Sequence, residues 1–272
     1  MPGRMTKWVV VGATLVALAA TPSCGEAAGV EPVGSVTATT PAPDPQLLLT
    51  FDDQEPGAAT GREIQGEGSA TAEVSLLGLN KQKATFVKGR QGGIALRTPP
   101  YSGETGGSFS ALRIEPEEWL SPRLSDFTFG ADVKLDALSN GSAIDNGDNV
   151  MQRGLYADAA QYKIQVDKHH ASCVVRGADG AVVVKSKVLL NPSKWYRLTC
   201  HRTDKTVKLT VQDLDSNQQP DAIEKTGPIG SLDMIGSEPL AIGAKIGDDG
   251  EIIGSSTDQF NGLLDNISYE RA

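Results

Sequence analysis

The sequence predicts an all-β protein in which two antiparallel sheets pack face to face as a jelly-roll β-sandwich. Between Gln161 and Gln212 the chain forms about four or five short alternating runs separated by tight polar turns. Helical periodicity is scarce, and the 30 glycines and 15 prolines concentrate between the runs. About fourteen short strands are too many for one open sheet, so two packed sheets are expected.

Residues 1–24 have the pattern of a secretory signal helix. Arg4 and Lys7 precede an unbroken apolar run, Trp8–Ala20, and small residues follow it. A basic start, an apolar middle and a small-residue exit are typical of such a signal. The run is also shorter than the ~20 residues that a membrane-spanning helix requires. We therefore expect the mature protein outside the cell.

A flexible linker is predicted for residues 25–45 and a single folded domain for residues 46–272. Ser35–Pro45 is rich in proline, threonine and alanine and has too little apolar mass to pack. The net charge of -9 comes without a cluster of lysines or arginines. Nucleic acid is therefore not an expected partner, and an acidic surface suits a soluble extracellular protein.

The chain has three cysteines. Cys173 and Cys200 lie in alternating runs of one predicted meander, where they can face each other, and export implies an oxidising compartment. We expect a disulfide between them, which would stabilise the fold by about 3–4 kcal/mol. Cys24 is then left over, directly after the apolar run. It is either lipidated as a membrane anchor, although Pro22 fits a lipoprotein cleavage box poorly, or left free by cleavage after Ala19.

The predicted strands follow one another almost without helices. Phe127–Leu135 alternates cleanly between apolar and polar residues, as expected for a strand with one buried and one wet face. Glu115–Leu120 is predicted to form a single helical turn. The strands are predicted at Leu47–Phe51, Glu73–Leu76, Ala84–Lys88, Ile94–Arg97, Ala111–Glu115, Phe127–Leu135, Asn149–Gln152, Tyr162–Asp167, Ala171–Arg176, Ala181–Ser186, Trp195–Thr203, Thr206–Asp213, Leu240–Lys245 and Leu263–Glu270.

The order of these segments resembles the laminin-G-like branch of the concanavalin A-like lectin/glucanase superfamily, in its secreted actinobacterial form. The most specific segment is the closing FNGLLDNISY, in which Phe260, Gly262, Asp265, Ile267 and Tyr269 match the pattern of the family. The strand WYRLTC also matches a tryptophan-led strand of the family. The resemblance spans Leu47 to Tyr269 and implies a jelly roll of two curved sheets.

The resemblance also implies a structural Ca²⁺ where the first and last strands meet. Asp52, Asp53 and Asp265 are the expected ligands, because Ca²⁺ is bound by carboxylate and carbonyl oxygens. The alternative is that Asp265 accepts a hydrogen bond from a loop backbone and that Asp52 and Asp53 are solvated. The acidic loop Asp145–Asn149 is either a second calcium site or an ordinary polar turn.

No catalytic residue is predicted. Glucanases of the superfamily carry a Glu-x-Asp-x-x-Glu strand that brings carboxylates together in the cleft, and this string is absent here. Glu115 and Glu117 are two residues apart, but Pro116 between them disrupts a strand. The Gln-Ile-His string of alginate-lyase-type sandwiches is also missing.

Candidate ligand-binding residues are the aromatics outside the predicted core strands and their polar neighbours. Tyr101, Trp119 and Tyr156 are the candidate sugar platforms, and each has packing as its alternative role. Arg153 and Asp158 flank Tyr156 and would line the same rim. If the concave sheet is the site, the segment Asn149–Asp158 borders it.

The sequence thus predicts a secreted or envelope-tethered, non-catalytic laminin-G-like domain. Its expected partner is an extracellular glycan or a surface protein, and its only expected contact with a membrane is a lipid at Cys24. Two alternatives remain: a polysaccharide lyase or glycoside hydrolase of the same superfamily, and a structural envelope lipoprotein.

Overall fold

The computed structural model describes residues 44–272, except 82, 103, 105, 137–143, 145, 146, 235 and 237. The predicted leader with Cys24, most of the linker, and part of the acidic loop Asp145–Asn149 lie outside the described residues. Single turns of 3-10 helix occur at Arg90–Gly92 and Glu118–Leu120. The strands are β1 (Leu47–Leu49), β2 (Gly57–Ala58), β3 (Val74–Leu79), β4 (Thr85–Lys88), β5 (Ile94–Arg97), β6 (Phe109–Ile114), β7 (Phe127–Leu135), β8 (Asp148–Arg153), β9 (Gln161–Asp167), β10 (His170–Gly177), β11 (Gly180–Lys185), β12 (Tyr196–Thr203), β13 (Thr206–Asp213), β14 (Asp221–Thr226), β15 (Leu240–Ile242) and β16 (Gly262–Arg271).

The strands form two antiparallel sheets, which confirms the predicted all-β fold class. The seven-stranded sheet has the order β11-β10-β9-β8-β15-β6-β3. The nine-stranded sheet has the order β14-β13-β12-β7-β16-β5-β4-β2, and β1 also pairs with β16. The first and last strands therefore lie side by side, with Leu47 opposite Tyr269. No helix among the described residues is long and apolar enough to span a membrane.

Alternation along the strands fills the core between the sheets. In β7 the side chains of Phe127, Phe129 and Val133 are buried in the main apolar cluster, as the sequence pattern predicted. Tyr162 of β9 meets this cluster from the opposite sheet, with its ring centroid 5.0 Å from that of Phe129. One residue in two thus points into the core, and the next residue faces the outer surface of its sheet.

The predicted disulfide is confirmed, with the Cα atoms of Cys173 and Cys200 6.1 Å apart. The expectation that both cysteines lie in one meander is wrong. Cys173 is in β10 of the seven-stranded sheet and Cys200 is in β12 of the nine-stranded sheet. The chain crosses between the sheets after β11, so the bond links the two layers through the core.

Two strands were absent from the sequence prediction. β2 contains only two residues. β14 lies at the edge of the nine-stranded sheet, and its residues are almost all exposed. Without a buried face, β14 has no apolar alternation for the sequence to reveal. The helical turn predicted near Glu115–Leu120 occupies only Glu118–Leu120.

Candidate functional site

A groove of about 570 Å³ crosses the outer face of the seven-stranded sheet. Its position follows from the alternation of β9, where Tyr162, Ile164 and Val166 enter the core. The intervening Gln161, Lys163 and Gln165 therefore point outward, and all three line the groove. The size is within the range of small-molecule sites, about 300–1,000 Å³.

Two glutamines form a fixed polar part of the groove wall. Gln152 and Gln161 are 3% and 4% exposed. Their side-chain amides donate to the same acceptor, the carbonyl oxygen of Gly154, at 2.7 Å and 3.0 Å. Gly154 has φ +77°, and a Cβ there would lie 2.2 Å from the carbonyl oxygen of Ala160, so only glycine fits. The Oε1 atom of Gln152 is buried and has no hydrogen-bond partner among the described residues.

Two lysines share one carboxylate at the groove. The Nζ atom of Lys245 lies 2.6 Å from Oδ2 of Asp258, and the Nζ atom of Lys163 lies 3.6 Å from the same oxygen. The side chains of Lys163 and Asp258 are 8% and 6% exposed. Burial lowers the pKa of Lys163 from its ordinary value to about 8, with Lys245 also lowering it and Asp258 opposing the shift.

Tyr156 is the exposed aromatic of the groove. Its side chain is 83% exposed and lines one end. The guanidinium carbon of Arg176 lies 4.8 Å from the ring centroid, and Arg176 also donates a hydrogen bond to the carbonyl oxygen of Tyr156. This cation–π contact and the hydrogen bond hold the loop against β10 while a large part of the ring stays accessible.

Asp158 follows Tyr156 in the same loop and is only partly exposed. Its carboxylate accepts a hydrogen bond from the backbone N–H of Leu155, and its own N–H donates to the carbonyl oxygen of Leu155 at 3.2 Å. The residue therefore stabilises the turn that presents Tyr156. Tyr156 lines the groove and Asp158 does not, so a role of Asp158 at the rim stays a prediction.

The other three predicted ligand-binding residues have structural surroundings. Arg153 is 1% exposed, and its guanidinium donates to the carbonyl oxygens of Met234 at 2.8 Å and Glu238 at 3.0 Å. Trp119 packs against the core with its ring centroid 6.0 Å from that of Tyr269. Tyr101 is half-buried and is not among the residues that line the groove. The packing of Trp119 fits the alternative role considered for it, and a role of these three residues in ligand binding stays a prediction.

The residues predicted to bind calcium are not brought together as one set. Oδ1 of Asp52 accepts the backbone N–H of Ile94 at 2.8 Å, and Asp53 is exposed. Asp265 is 6% exposed and accepts the N–H of Asn266 at 2.7 Å, in the bulge of β16. Among the described residues, one group of three carboxylates has oxygen atoms close enough together to bind one metal ion, all within 4.8 Å of one another. It consists of Asp158, Glu238 and Asp248. Calcium at Asp52, Asp53 and Asp265 therefore stays a prediction.

Asp265 belongs to a charged cluster on the outer face of the nine-stranded sheet. Arg197 binds Asp132 through two hydrogen bonds of 2.7 Å and 2.8 Å, and the side-chain amide of Asn266 donates to Asp132 at 3.0 Å. Burial raises the pKa of Asp265 to about 7, and the charges of Asp132 and Asp52 raise it further, against the N–H of Asn266 and the guanidinium of Arg197.

Sequence reasoning missed Lys163, Lys245, Gln152 and Arg176 as groove residues. Gln161 and Gln165 were also not predicted to bind a ligand. The available signal was the run QYKIQVD, in which the polar positions form one continuous face of a strand. An outward face of uncharged amides and one lysine is unusual for a merely solvated surface, which lysines and glutamates commonly cover.

Comparison with known proteins identifies the fold. No protein-family model matches the sequence, and no curated protein matches it. The binding domain of Paraclostridial Mosquitocidal Protein 1 is similar with a TM-score of 0.55 at 11% identity, covering 84% of this chain and 49% of that chain. The binding domain of Botulinum Neurotoxin DC in complex with SialylT is similar with a TM-score of 0.50 at 8% identity, covering 84% and 48%.

The LG1-3 region of the laminin alpha2 chain is also similar, with a TM-score of 0.46 at 16% identity, covering 60% of this chain and 31% of that chain. The chain spans about half the length of the two toxin domains it matches. At these identities the likeness to the two toxin domains shows the fold alone, and the two-sheet antiparallel β-sandwich predicted from the sequence is confirmed at that level.

Proposed function

We propose that this chain is an extracellular, non-catalytic domain that binds a glycan in the groove on the outer face of the seven-stranded sheet. The observation that carries the proposal is Tyr156, a largely exposed ring that is held beside a groove whose accessible lining is mainly apolar, with a few polar side chains. A large aromatic surface left in water beside a cavity is typical of a binding site. The C–H face of a sugar ring can stack on such a surface.

The few polar side chains of the groove suit the hydroxyl groups of a sugar. Gln152, Gln161 and Gln165 line the groove together with Lys163. Amide side chains both donate and accept hydrogen bonds, which sugar hydroxyls also do. Gln152 and Gln161 are already fixed on the carbonyl of Gly154, so little side-chain entropy remains to be lost on binding.

The fold neighbours and the disulfide support the proposal at a coarser level. The neighbours include toxin binding domains, one of which was solved with the glycan SialylT. A disulfide through the core is typical of proteins in oxidising, extracellular compartments. Release from the cell or attachment through a lipid at Cys24 is a separate proposal, which mass spectrometry of the mature N-terminus tests.

The test of glycan binding uses the full-length secreted chain on an array of neutral and acidic glycans. Tyr156→Ala should weaken binding at least about tenfold, because it removes the stacking surface. The matched control is Leu124→Ala, which truncates another exposed apolar side chain that does not line the groove. Unchanged binding by Tyr156→Ala, or binding to proteins and no glycan, would overturn the proposal.

A second candidate function is an enzyme that cleaves the same glycan. The observation that favours it is Lys163, a buried lysine in the groove whose pKa is lowered to about 8, since perturbed groups of this kind cluster at active sites. Incubation of a bound glycan with the protein, followed by measurement of chain ends, distinguishes the two. Intact glycan after long incubation supports the non-catalytic domain, whereas new ends that vanish in Lys163→Met support the enzyme.

A further inference from the structure

We propose that the groove contains an anion subsite in which Lys163 and Lys245 bind the carboxylate of an acidic sugar. This inference rests on the glycan-binding function proposed above and specifies the class of glycan. It goes beyond the fold, because nothing in the arrangement of the strands requires two lysines at this place.

The charge of the groove is opposite to that of the whole chain. The chain carries a formal charge of -9. The described residues that line the groove include Lys163, Lys245 and Arg176, and no acidic residue is among them. A cationic strip on an acidic protein attracts an anionic ligand while the remaining surface repels it, which favours correctly oriented encounters.

The lysines have hydrogen-bond donors to spare. Lys163 is 3.6 Å from Oδ2 of Asp258, which is longer than an ordinary N–H···O hydrogen bond. An ammonium group has three donors, and a buried charge without close acceptors is costly. The carboxylate of a ligand in the groove would supply the missing acceptors. At neutral pH the group is charged, since its pKa is about 8.

Asp258 positions both lysines but neutralises only one of them. Lys245 uses two of its donors, on Asp258 at 2.6 Å and on the hydroxyl of Ser256 at 2.9 Å. The backbone of Asp258 is itself fixed, because its carbonyl oxygen accepts the N–H of Asn149 at 2.8 Å. Two ammonium groups held by one carboxylate leave one positive charge, which matches the single carboxylate of a uronic acid residue.

The surroundings fit a sugar better than a bare anion. The Oε1 atom of Gln152 is a buried acceptor without a partner among the described residues. Gln152 lines the same groove as the lysines, and rotation of its amide would offer this acceptor to a sugar hydroxyl. Tyr156 adds an aromatic surface at the rim of the groove. A carboxylate, a hydroxyl and an apolar ring face occur together in an acidic pyranose.

The experiment compares oligouronates with their carboxyl-reduced counterparts, which differ only in the charged group. Binding to the full-length protein is measured by calorimetry at two salt concentrations. We expect each preferred oligouronate to bind at least about tenfold more tightly than its reduced counterpart, with the preference declining as salt rises. Lys163→Met and Lys245→Met should each weaken binding of the oligouronate much more than binding of its reduced counterpart, and so remove most of this preference.

The matched control is Lys208→Met, which removes an exposed lysine from β13 of the nine-stranded sheet and should leave both affinities unchanged. Tyr156→Ala should weaken both glycans alike, which separates the stacking surface from the anion subsite. If Lys163→Met does not fold, Lys245→Met and the salt dependence decide the question.

Each remaining outcome overturns a distinct part of the proposal. Equal affinity for the acidic and reduced glycans rejects the anion subsite and leaves glycan binding intact. A preference for sulfated over uronic glycans of the same length rejects the assignment to a carboxylate. Absence of binding to every glycan in the set rejects the subsite together with the function on which it rests.

Discussion

The outer faces of the two sheets carry buried charges in opposite ratios. Beside the seven-stranded sheet, one carboxylate, Asp258, lies near two lysines. On the nine-stranded sheet, one cation, Arg197, lies against Asp132, and the buried carboxyl of Asp265 belongs to the same cluster. Lys163, Arg197, Asp132 and Asp265 occupy outward positions of strands, whereas Lys245 and Asp258 lie in the segment between β15 and β16.

The ratio of cations to carboxylates decides which ions each face can bind. The surplus on the seven-stranded sheet is positive and borders an open groove, where a ligand anion can enter. The cluster on the nine-stranded sheet has more carboxylates than cations, and its carboxylates are mostly buried. Burial and the neighbouring carboxylates raise the pKa of Asp265 to about 7, so this residue stays protonated below that pH. Burial penalises the charged form on both faces, but it raises the pKa of the acid and lowers the pKa of the base.

The largest expected effect is the pH dependence caused by Asp265. Its pKa is about 7 in the folded protein, against an ordinary value of 3.8. Between these values the folded state holds the proton and the unfolded state has lost it, so the free energy of unfolding decreases as pH rises. The slope is at most about 1.4 kcal/mol per pH unit, or at most about 4 kcal/mol in all. Urea unfolding at several pH values measures it.

Asp265→Asn should remove this contribution, so that the variant gains stability over the natural chain as pH rises from 4 to 7. Asp53→Asn, at an exposed carboxylate, is the control and should follow the natural chain. Parallel curves for the natural chain and Asp265→Asn would show that Asp265 ionises normally.

Lys163 should give a pH dependence of opposite sign and somewhat smaller size. Its pKa is about 8 in the folded protein, against an ordinary value of 10.5. Between these values the unfolded state holds the additional proton, so the free energy of unfolding increases as pH rises, by at most about 3 kcal/mol. The Lys163→Met variant should lack the increase, while Lys208→Met should retain it. A decrease attributable to Lys163 would reverse our interpretation of the groove.

Removal of one cation from each face should have unequal effects at pH 8. Arg197→Met leaves Asp132 and Asp265 without a cation, and we expect a loss of about 2 kcal/mol, less than a fully buried pair would lose because Arg197 is half exposed. Lys163→Met leaves Asp258 paired with Lys245 and removes a buried ammonium group, so its stability should equal or exceed that of the natural chain. Equal losses of stability in urea unfolding would contradict the proposed difference in charge balance between the two faces.

The buried faces of the strands were predictable from the sequence, and the connections between sheets were not. The bounds of β5, β7 and β13 match the prediction, since β7 and β13 have apolar residues at alternate positions and β5 is a short apolar run. Cys173 and Cys200 were paired correctly although they were assigned to one meander. Alternation tells which side of a strand is buried, but it does not tell which sheet the strand joins, because that depends on contacts far apart in sequence.

The candidate site was predicted in part. Tyr156, which lines the groove, was named because an aromatic residue in a polar loop stands out locally, whereas Asp158 stabilises its loop and does not line the groove. Arg153 resembled a binding residue in the sequence, but its guanidinium donates to carbonyl oxygens of residues 36, 81 and 85 positions away. Lys163 and Lys245 were missed for the same reason, since their common partner Asp258 is distant from Lys163 in sequence and close in space.

The smallest expected effect is that of calcium on the thermal stability of the nine-stranded face. A surplus of carboxylates favours a cation, and Asp265 with Asp52 and Asp53 remains the site implied by the family resemblance. Calcium at about ten times its Kd would add about 1.4 kcal/mol and raise Tm by a few degrees. Differential scanning calorimetry with calcium and with a chelator measures this shift.

Two variants assign the ion to one of the acidic groups. Loss of the calcium shift in Asp265→Asn, with the shift retained in Asp248→Asn, places the ion near the first and last strands. The reverse result places it at Asp158, Glu238 and Asp248 beside the groove, which would put a cation close to the glycan site and make glycan affinity depend on calcium. If the natural chain has the same Tm with calcium and with chelator, neither acidic group binds calcium. The two faces would then differ only in how they bind protons and anions.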